Sequence, residues 1–455
     1  MGHQRFFRDP IHGQLRFERV DLRAAPPPAD REGRRMSWVL QNLIDSPEFQ
    51  RLRQIRQNGL TSYVFHGAEH SRFAHSMGVC FLAREMYDAI TRNTDAASDW
   101  DCRLQTACAG LLHDVGHGPF SHLIEEVLDE ADVAFDHELM TTRLILEDTS
   151  INKVLKTLDP ALPGIIAPYI DKERRDPAKD HWSYRIVSSQ LDADRLDYLH
   201  RDAAGAGLIG HGFDLPRLLD MLEHLEGTRI AVDRRAIAAV EAYLVLLDQM
   251  YRAVYFHKTI RSASHLLSGA LRRAYELFKN GDKEIYGDSP VRALFEQGQA
   301  IPLNIYVRIT ESHVWALVDR WRGHTDVVLA DLAARILDRR LLKAMDVDAT
   351  NHRALRELED RARDIVKQRL NVPDECVDYY VQIDEPSRVS YKRYDWLAER
   401  PDESIFMTGG GRKPLPIEED TGSAIVPALK ATRYFHRLIL PDFARDEMFS
   451  KDTKP

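Results

Sequence analysis

Within ten residues, His113-Asp114-Val115-Gly116-His117-Gly118-Pro119-Phe120-Ser121-His122 gathers three imidazoles and a carboxylate. Neutral imidazole and ionised carboxylate together suit a first-row divalent metal. The preceding run, Cys108 to Leu112, is small and apolar, as befits a helix entering a core. Gly116, Gly118 and Pro119 then break that helix. Adjacent helical side chains diverge by roughly 100°, so His113 and Asp114 share one ion only where the helix opens into a turn. Among nineteen histidines one His-Asp doublet is expected by chance, whereas the grouping at 113, 117 and 122 is not.

Two further stretches must supply what this cluster lacks. Glu69-His70-Ser71-Arg72-Phe73-Ala74-His75-Ser76-Met77-Gly78-Val79 opens a helix near Arg72 whose apolar period continues through Phe81, Leu82 and Met86. The other is Leu191-Asp192-Ala193-Asp194-Arg195-Leu196-Asp197-Tyr198-Leu199-His200-Arg201-Asp202. Taken alone, its charges read as a solvated amphipathic face.

Histidine, then His-Asp, then a distant aspartate is the ligand order of the HD-domain metal-dependent phosphohydrolases, which this chain resembles. Asp9-Pro10-Ile11-His12-Gly13, Gln50-Arg51-Leu52-Arg53-Gln54-Ile55, Arg72-Phe73-Ala74-His75-Ser76, His113 to His122, Asp194 to Asp202 and Tyr255-Phe256-His257-Lys258-Thr259 occur in one order. The likeness spans about residues 5 to 280. It points to the deoxynucleoside triphosphate triphosphohydrolase branch, which includes the sterile-alpha-motif/HD-domain enzyme and bacterial relatives.

That resemblance implies His75, His113, Asp114 and Asp194 as ligands of a divalent metal (Fe, Mn, Mg, Zn or Ni). His75 is preferred to His70 because it stands in the Arg-Phe-x-His-Ser motif. The resemblance also implies His117 and His122 beside the scissile phosphate and His137 as a further active-site histidine. Glu125 takes the place of an aspartate that orients the acid histidine. Arg72, Arg195, Lys258, Tyr198 and Tyr255 match positions that contact phosphate, sugar or base, and Gln57 and Asp202 match contacts to the sugar's 3′ hydroxyl. Asp45, Gln50 and Arg53 match a guanine-nucleotide activator site between subunits of an oligomer, commonly a tetramer. Asp45 reads equally as a helix cap and Arg53 as a salt-bridge partner. Arg5 and Arg8, beside Asp9, would add basic contacts to such a site.

Phosphate esters resist attack because their oxygens are negative and water is a poor nucleophile, which a divalent ion remedies. An imidazole titrating near neutrality protonates the departing oxygen, contributing roughly 10²–10⁴-fold. His122, oriented by Glu125, is the expected acid. By resemblance, the bond cut joins the alpha phosphorus to the 5′ oxygen, releasing deoxynucleoside and inorganic triphosphate.

Departures from the family pattern bear on substrate. Leu247 stands where relatives carry an arginine that meets the terminal phosphate. Ala203-Ala204-Gly205-Ala206-Gly207 replaces a segment that usually has two tyrosines, and Asn58 replaces a leucine that packs against the sugar's 2′ edge. Three readings therefore stand: a dNTP triphosphohydrolase, an HD phosphohydrolase of another nucleotide or phosphomonoester, and a nucleotide-sensing or nucleic-acid-binding protein. The complete ligand quartet counts against the third; Leu247 favours the second.

A chain of 455 residues with 44% hydrophobic content can bury a sizeable core. The fold expected is mainly α: an HD-domain helical core over 1–285, with a loop insertion at about 23–35, and a smaller accessory α+β region over 286–455. Helices are read near 72–93, 101–114, 120–130, 136–147 and 188–202, and one or two long helices within 232–278. Asp378 to Ile383 and Phe435 to Leu440 read as strands. Gly409-Gly410-Gly411-Arg412-Lys413 lacks phosphate-loop spacing and reads as a plain turn. A net charge of −9 argues against a surface that coats nucleic acid, though local basic patches leave binding open. No apolar run approaches the ~18 residues of a membrane span, and the start lacks a signal peptide's apolar stretch. Cys80, Cys102, Cys108 and Cys376 form no Cys-x-x-Cys pair. A cytoplasmic enzyme with buried thiols is expected.

Overall fold

The computed structural model describes residues 5–449 apart from 95–97, 177–179, 209, 211, 226, 228, 349, 386–403, 421, 424 and 426–434. An N-terminal hairpin, β1 (Arg5–Asp9) and β2 (Gly13–Phe17), turns at Gly13, whose φ of 75° favours glycine. Several of the helices that follow start at side-chain caps. Ser46 caps α2 (Pro47–Gln50), after α1 (Glu32–Ile44), with proline in the first turn. Ser71 caps α3 (Arg72–Asn93), and Asp99 caps α4 (Trp100–Leu112). Then come α5 (His122–Glu130), α6 (His137–Leu146), α7 (Ser150–Leu158), α8 (Leu162–Ile170), α9 (Tyr184–Val187) and α10 (Ala193–Gly205), the last capped by Asp192.

Helix α3 explains the architecture. Phe73, Met77 and Cys80 join one apolar cluster, while Val79, Leu82, Met86 and Ile90 join another. A helix apolar on opposite sides belongs inside a core, and α3 lies between α4 and α10. Gly78 allows the approach to α10, since a Cβ there would overlap Asp197 and Arg201.

Beyond α10 the chain forms α11 (Leu215–Asp220), β3 (Leu222–His224), β4 (Ile230–Asp233), α12 (Ile237–Met250) and α13 (Lys258–Lys279). A π-helical turn, Tyr251–Tyr255, separates the last two. The region read as one or two helices thus holds two, preceded by a strand the sequence reading did not anticipate. Helices continue through Val291–Gln297, Leu303–Tyr306, Glu311–Trp321, Val327–Leu337 and His352–Leu370. The larger apolar cluster runs from Leu15 to Met448, so chain on both sides of residue 285 shares one core. We propose that boundary as a functional one, since every candidate site residue precedes it.

Among the described residues two further small sheets form: β3-β4-β7-β8, with β7 at Phe406–Thr408 and β8 at Leu415–Pro416, and β5-β9-β6. In the second, Arg437–Leu440 (β9) pairs antiparallel with Lys343–Asp346 (β5) and Gln382–Asp384 (β6). The strand expected over Asp378 to Ile383 is therefore shorter. Asp374–Tyr379 is a 3₁₀ helix that buries Cys376, Val377 and Tyr379, and only the residues after it extend. The 23–35 insertion is likewise shortened, because α1 begins at Glu32. Gly409 to Gly411, all at positive φ, turn between β7 and β8. Among the described residues no helix is long and apolar enough to cross a membrane.

Candidate metal and phosphoester site

His75 lies one turn into α3 and is fully buried. His113 ends α4, and Asp114 follows where the helix opens into the Gly116 turn. A Cβ at Gly116 would overlap the backbone of His137 and Thr141, so this turn tolerates only glycine. Asp194 sits in the first turn of α10. These three elements bring four side chains together. His75 Nε2 is 3.0 Å from Asp194 Oδ1, 3.6 Å from Asp114 Oδ2 and 3.3 Å from His113 Nε2. His113 Nε2 is 3.3 Å from Asp114 Oδ1 and 3.7 Å from Asp194 Oδ1.

Those separations fit a metal centre at His75, His113 and Asp114, with Asp194 brought to it beside the two histidines. Donors about 2.1 Å from one ion lie roughly 3.0–3.4 Å apart in octahedral or tetrahedral arrangements. The remaining ring nitrogens are already engaged: His75 Nδ1 with Asp197 Oδ2 at 2.8 Å, His113 Nδ1 with the Gly110 carbonyl at 2.9 Å. Both Nε2 atoms are thereby turned toward the shared centre. Burial lowers the basicity of His75, but hydrogen bonds to Asp194 and Asp197 outweigh it and raise the pKa to about 10. Burial likewise opposes ionisation of Asp114, yet Arg72, His113 and His117 hold its carboxyl well below the usual range.

A second cluster adjoins the first. His117 Nε2 stands 3.3 Å from Asp114 Oδ1, and its ring stacks on His137 with centroids 3.8 Å apart. Burial, with Arg72 and His137 nearby, keeps His117 well below its ordinary pKa and therefore neutral. Glu125 accepts from His122 Nδ1 at 3.0 Å, from His137 Nδ1 at 2.6 Å and from the His137 backbone at 3.1 Å. Burial works against the Glu125 carboxylate, but these histidines hold it well below the usual range. Phe120 and Ser121, which deliver His122, both carry positive φ, at 60° and 55°.

His122 also lines a solvent-connected pocket together with Gln57, Asn58, Ser121, Glu126, Tyr255 and Arg261. Gln57 Oε1, Asn58 Nδ2 and Glu126 Oε1 are buried there without a hydrogen-bond partner among the described residues. Burial pushes the Glu126 carboxyl up to about 7. Asp202 accepts from His70 at 2.8 Å and from the Tyr255 hydroxyl at 2.6 Å, and Tyr198 packs edge-on to Tyr255.

The candidate cations are differently placed. Arg72 is buried, pairs with Asp114 and donates to Ser121 Oγ at 2.9 Å. Arg195 bridges to Asp192 at 2.9 Å, and Lys258 is exposed at the first turn of α13. Leu247 is buried among Tyr243, Leu244 and Leu246. Asp45, Gln50 and Arg53 lie apart, at the ends of α2. Asp45 pairs with Arg5 at 3.2 Å, while Arg53 donates to Gln50 at 2.8 Å and stacks over Phe73.

Sequence reasoning singled out neither Asp197 nor Arg201, because the charges of α10 read as a solvated face. Both are buried. The available signal was spacing: Asp197 follows Asp194 by three residues, hence on its face of the helix. Tyr251 and Glu126 were also passed over.

Residues 72–202 match the HD domain, and residues 213–311 match the HD associated region. The chain is 35% identical over 350 residues to the uncharacterized protein YwfO of Bacillus subtilis, covering 76% of this chain and 73% of that one. It is 31% identical over 304 residues to deoxynucleoside triphosphate triphosphohydrolase SAMHD1 of Xenopus laevis, covering 59% of this chain but only 45% of that one. Among solved structures, a phosphohydrolase from Bacteroides thetaiotaomicron superposes with a TM-score of 0.75 at 24% identity, over 96% of this chain and 99% of that one. That likeness speaks to the fold.

Proposed function

Since this chain belongs to the HD-domain family, with its HD associated region, and is an HD-superfamily phosphohydrolase, we propose that it hydrolyses deoxynucleoside triphosphates to deoxynucleoside and inorganic triphosphate. The observation that carries this reading is adjacency. The four metal-type donors and the His122–Glu125 pair lie side by side, and beyond His122 opens a solvent-connected pocket lined by Gln57, Asn58 and Tyr255.

A divalent ion held by His75, His113, Asp114 and Asp194 would neutralise charge on a phosphoryl oxygen and make water reactive at neutral pH. Water attacks the alpha phosphorus, and the bond from phosphorus to the 5′ oxygen breaks. His122 gives the proton that the departing 5′ oxygen needs, and Glu125 stabilises the cationic ring that carries it. His137 shares Glu125 and so fixes its position. Neutral His117 spends its single N–H on Asp114 and stacks on His137, so it orients that carboxylate beside the phosphoryl group. The leaving nucleoside lies against the pocket wall formed by Gln57 and Tyr255, and Asp202 and Tyr198 stand behind Tyr255, the first as acceptor of its hydroxyl. Arg72, Arg195 and Lys258 answer the negative charge of the phosphates.

Leu247 favours a second reading, an HD phosphohydrolase acting on another nucleotide or a phosphomonoester, because its place in the apolar core holds no guanidinium. Incubating the purified protein with each nucleotide and Mn²⁺, Fe²⁺ or Mg²⁺, then separating phosphates by chain length, decides between them. Release of triphosphate supports the first reading and orthophosphate alone the second. We further propose a cytoplasmic homo-oligomer with Asp45, Gln50 and Arg53 as its nucleotide activator site. The mass of the particle in solution, with and without GTP, tests that assembly.

A further inference from the structure

Asp197 is fully buried, yet it belongs to neither apolar cluster nor the donor set itself. Its Oδ2 accepts from His75 Nδ1 at 2.8 Å and its Oδ1 from His12 Nε2 at 2.6 Å. Arg201 spans both oxygens, at 2.9 and 2.8 Å, and extends to Asp9 Oδ2 at 2.9 Å. Asp9 in turn accepts the backbone N–H groups of Ile11 and His12, each at 2.9 Å. An unbroken polar chain thus runs from the first hairpin to a ligand of the metal-type centre.

We propose that Asp197 is a positioning residue for that centre, and that His12, Arg201 and Asp9 hold it, making the N-terminal hairpin part of the site. The inference rests on the metal-dependent reading of the site given above. An imidazole offers its Nε2 lone pair to an ion only with the proton on Nδ1, and a carboxylate at Nδ1 selects that tautomer and fixes the ring plane. Asp197 stands where this requires. Stability alone does not account for the arrangement, because burying a carboxylate with a guanidinium is costly and apolar side chains would join two helices as well. The glycine at position 78 opens the space the carboxylate fills.

Asp197→Asn keeps the shape and removes the charge. Metal-stripped protein titrated with Mn²⁺ against a chromogenic chelator should bind roughly 10- to 100-fold more weakly than wild type. Because that variant leaves Arg201 half-paired in the interior, His12→Gln is measured beside it. It leaves the Asp197–Arg201 pair intact and loosens only one of its supports. Measured against its own stripped thermal midpoint, His12→Gln should show a smaller gain from Mn²⁺ than wild type shows against its own. Folded Asp197→Asn with wild-type affinity overturns the proposal. If Asp197→Asn does not fold, an unchanged Mn²⁺ gain in His12→Gln overturns it. Wild-type protein that binds Mn²⁺ but cleaves no nucleotide would sink the proposed activity alone, leaving the affinity comparison to decide this inference.

Discussion

Glu125→Gln tests the acid machinery most sharply. The carboxylate accepts three hydrogen bonds, one from His122 and two from His137. An amide of the same shape keeps one accepting oxygen. His137 presents its ring and its backbone to Oε1, so that oxygen stays with His137 and the NH₂ turns toward His122. The cationic form of His122 then loses its charge-assisted acceptor, worth roughly 1.5–3 kcal/mol. At about 1.36 kcal/mol per decade, that is a fall in kcat of roughly 10- to 150-fold. The His122 side chain is 39% exposed, so solvent screening places the result toward the smaller end. The assay pairs steady-state rates with metal content. His117, Glu125 and His137 are themselves close enough to hold an ion, and the two roles separate cleanly. A slower enzyme with full metal content supports the acid role. An unchanged kcat, or a rate loss matched by metal loss, refutes the reasoning.

His113→Ala combined with Asp114→Ala should abolish both turnover and divalent-metal content, read by nucleotide hydrolysis and elemental analysis; retained metal would move the centre elsewhere. Arg51 donates to the Ile309, His117 and Val115 carbonyls at 2.8, 2.8 and 3.4 Å and lies over Tyr306. Arg51→Lys cannot reach all three and should lower stability by about 3 kcal/mol in urea at unchanged m. The stability difference between wild type and Glu125→Gln should vary with pH. Burial works against both charges of the pair, but the mutual hydrogen bond prevails, lowering Glu125 from 4.5 and raising His137 from 6.5. The carboxylate's contribution is whole above about 4.5 and lost below it; the imidazolium's is whole below about 6.5 and lost as pH rises through its raised value. The difference should therefore peak between those values, and a flat profile from pH 4 to 8 would contradict the pairing.

The helical character of the protein and the order of its chemistry-bearing segments were legible because apolar periodicity and glycine breaks are local signals. Helix α3 was readable from Arg72 onward for that reason. The polar shell was not, because charge on a helix carries no mark of burial. Asp197 and Arg201 look like solvent residues until α3 and the hairpin close over them. Strands of three or four residues such as β3 and β4 are shorter than the window in which alternation shows. Asp374–Tyr379 misled the reading because its aromatic and β-branched residues serve a 3₁₀ turn as well as a strand. Nor does sequence show that Arg72 answers Asp114, since a salt bridge between helices carries no spacing rule.

Asp114 explains why so much of the site is packed into one short turn. Its Oδ1 lies 3.3 Å from both His113 and His117, so one carboxylate touches the donor cluster and the acid cluster at once. The distance between activated water and proton donor is therefore set within a single loop rather than by the docking of remote elements. Such a loop cannot be relaxed. Gly116 is pressed against His137 and Thr141, and Phe120 and Ser121 adopt the left-handed φ that non-glycine residues avoid. Strain of that kind, of order 1–3 kcal/mol per residue, persists where surrounding contacts over-determine the geometry. Here those contacts are Arg72 on Ser121 and Arg51 on the carbonyls of Val115 and His117. Two arginines from the preceding motifs thus hold the turn in the shape that lets one aspartate serve both clusters, which is why the motifs must be read together.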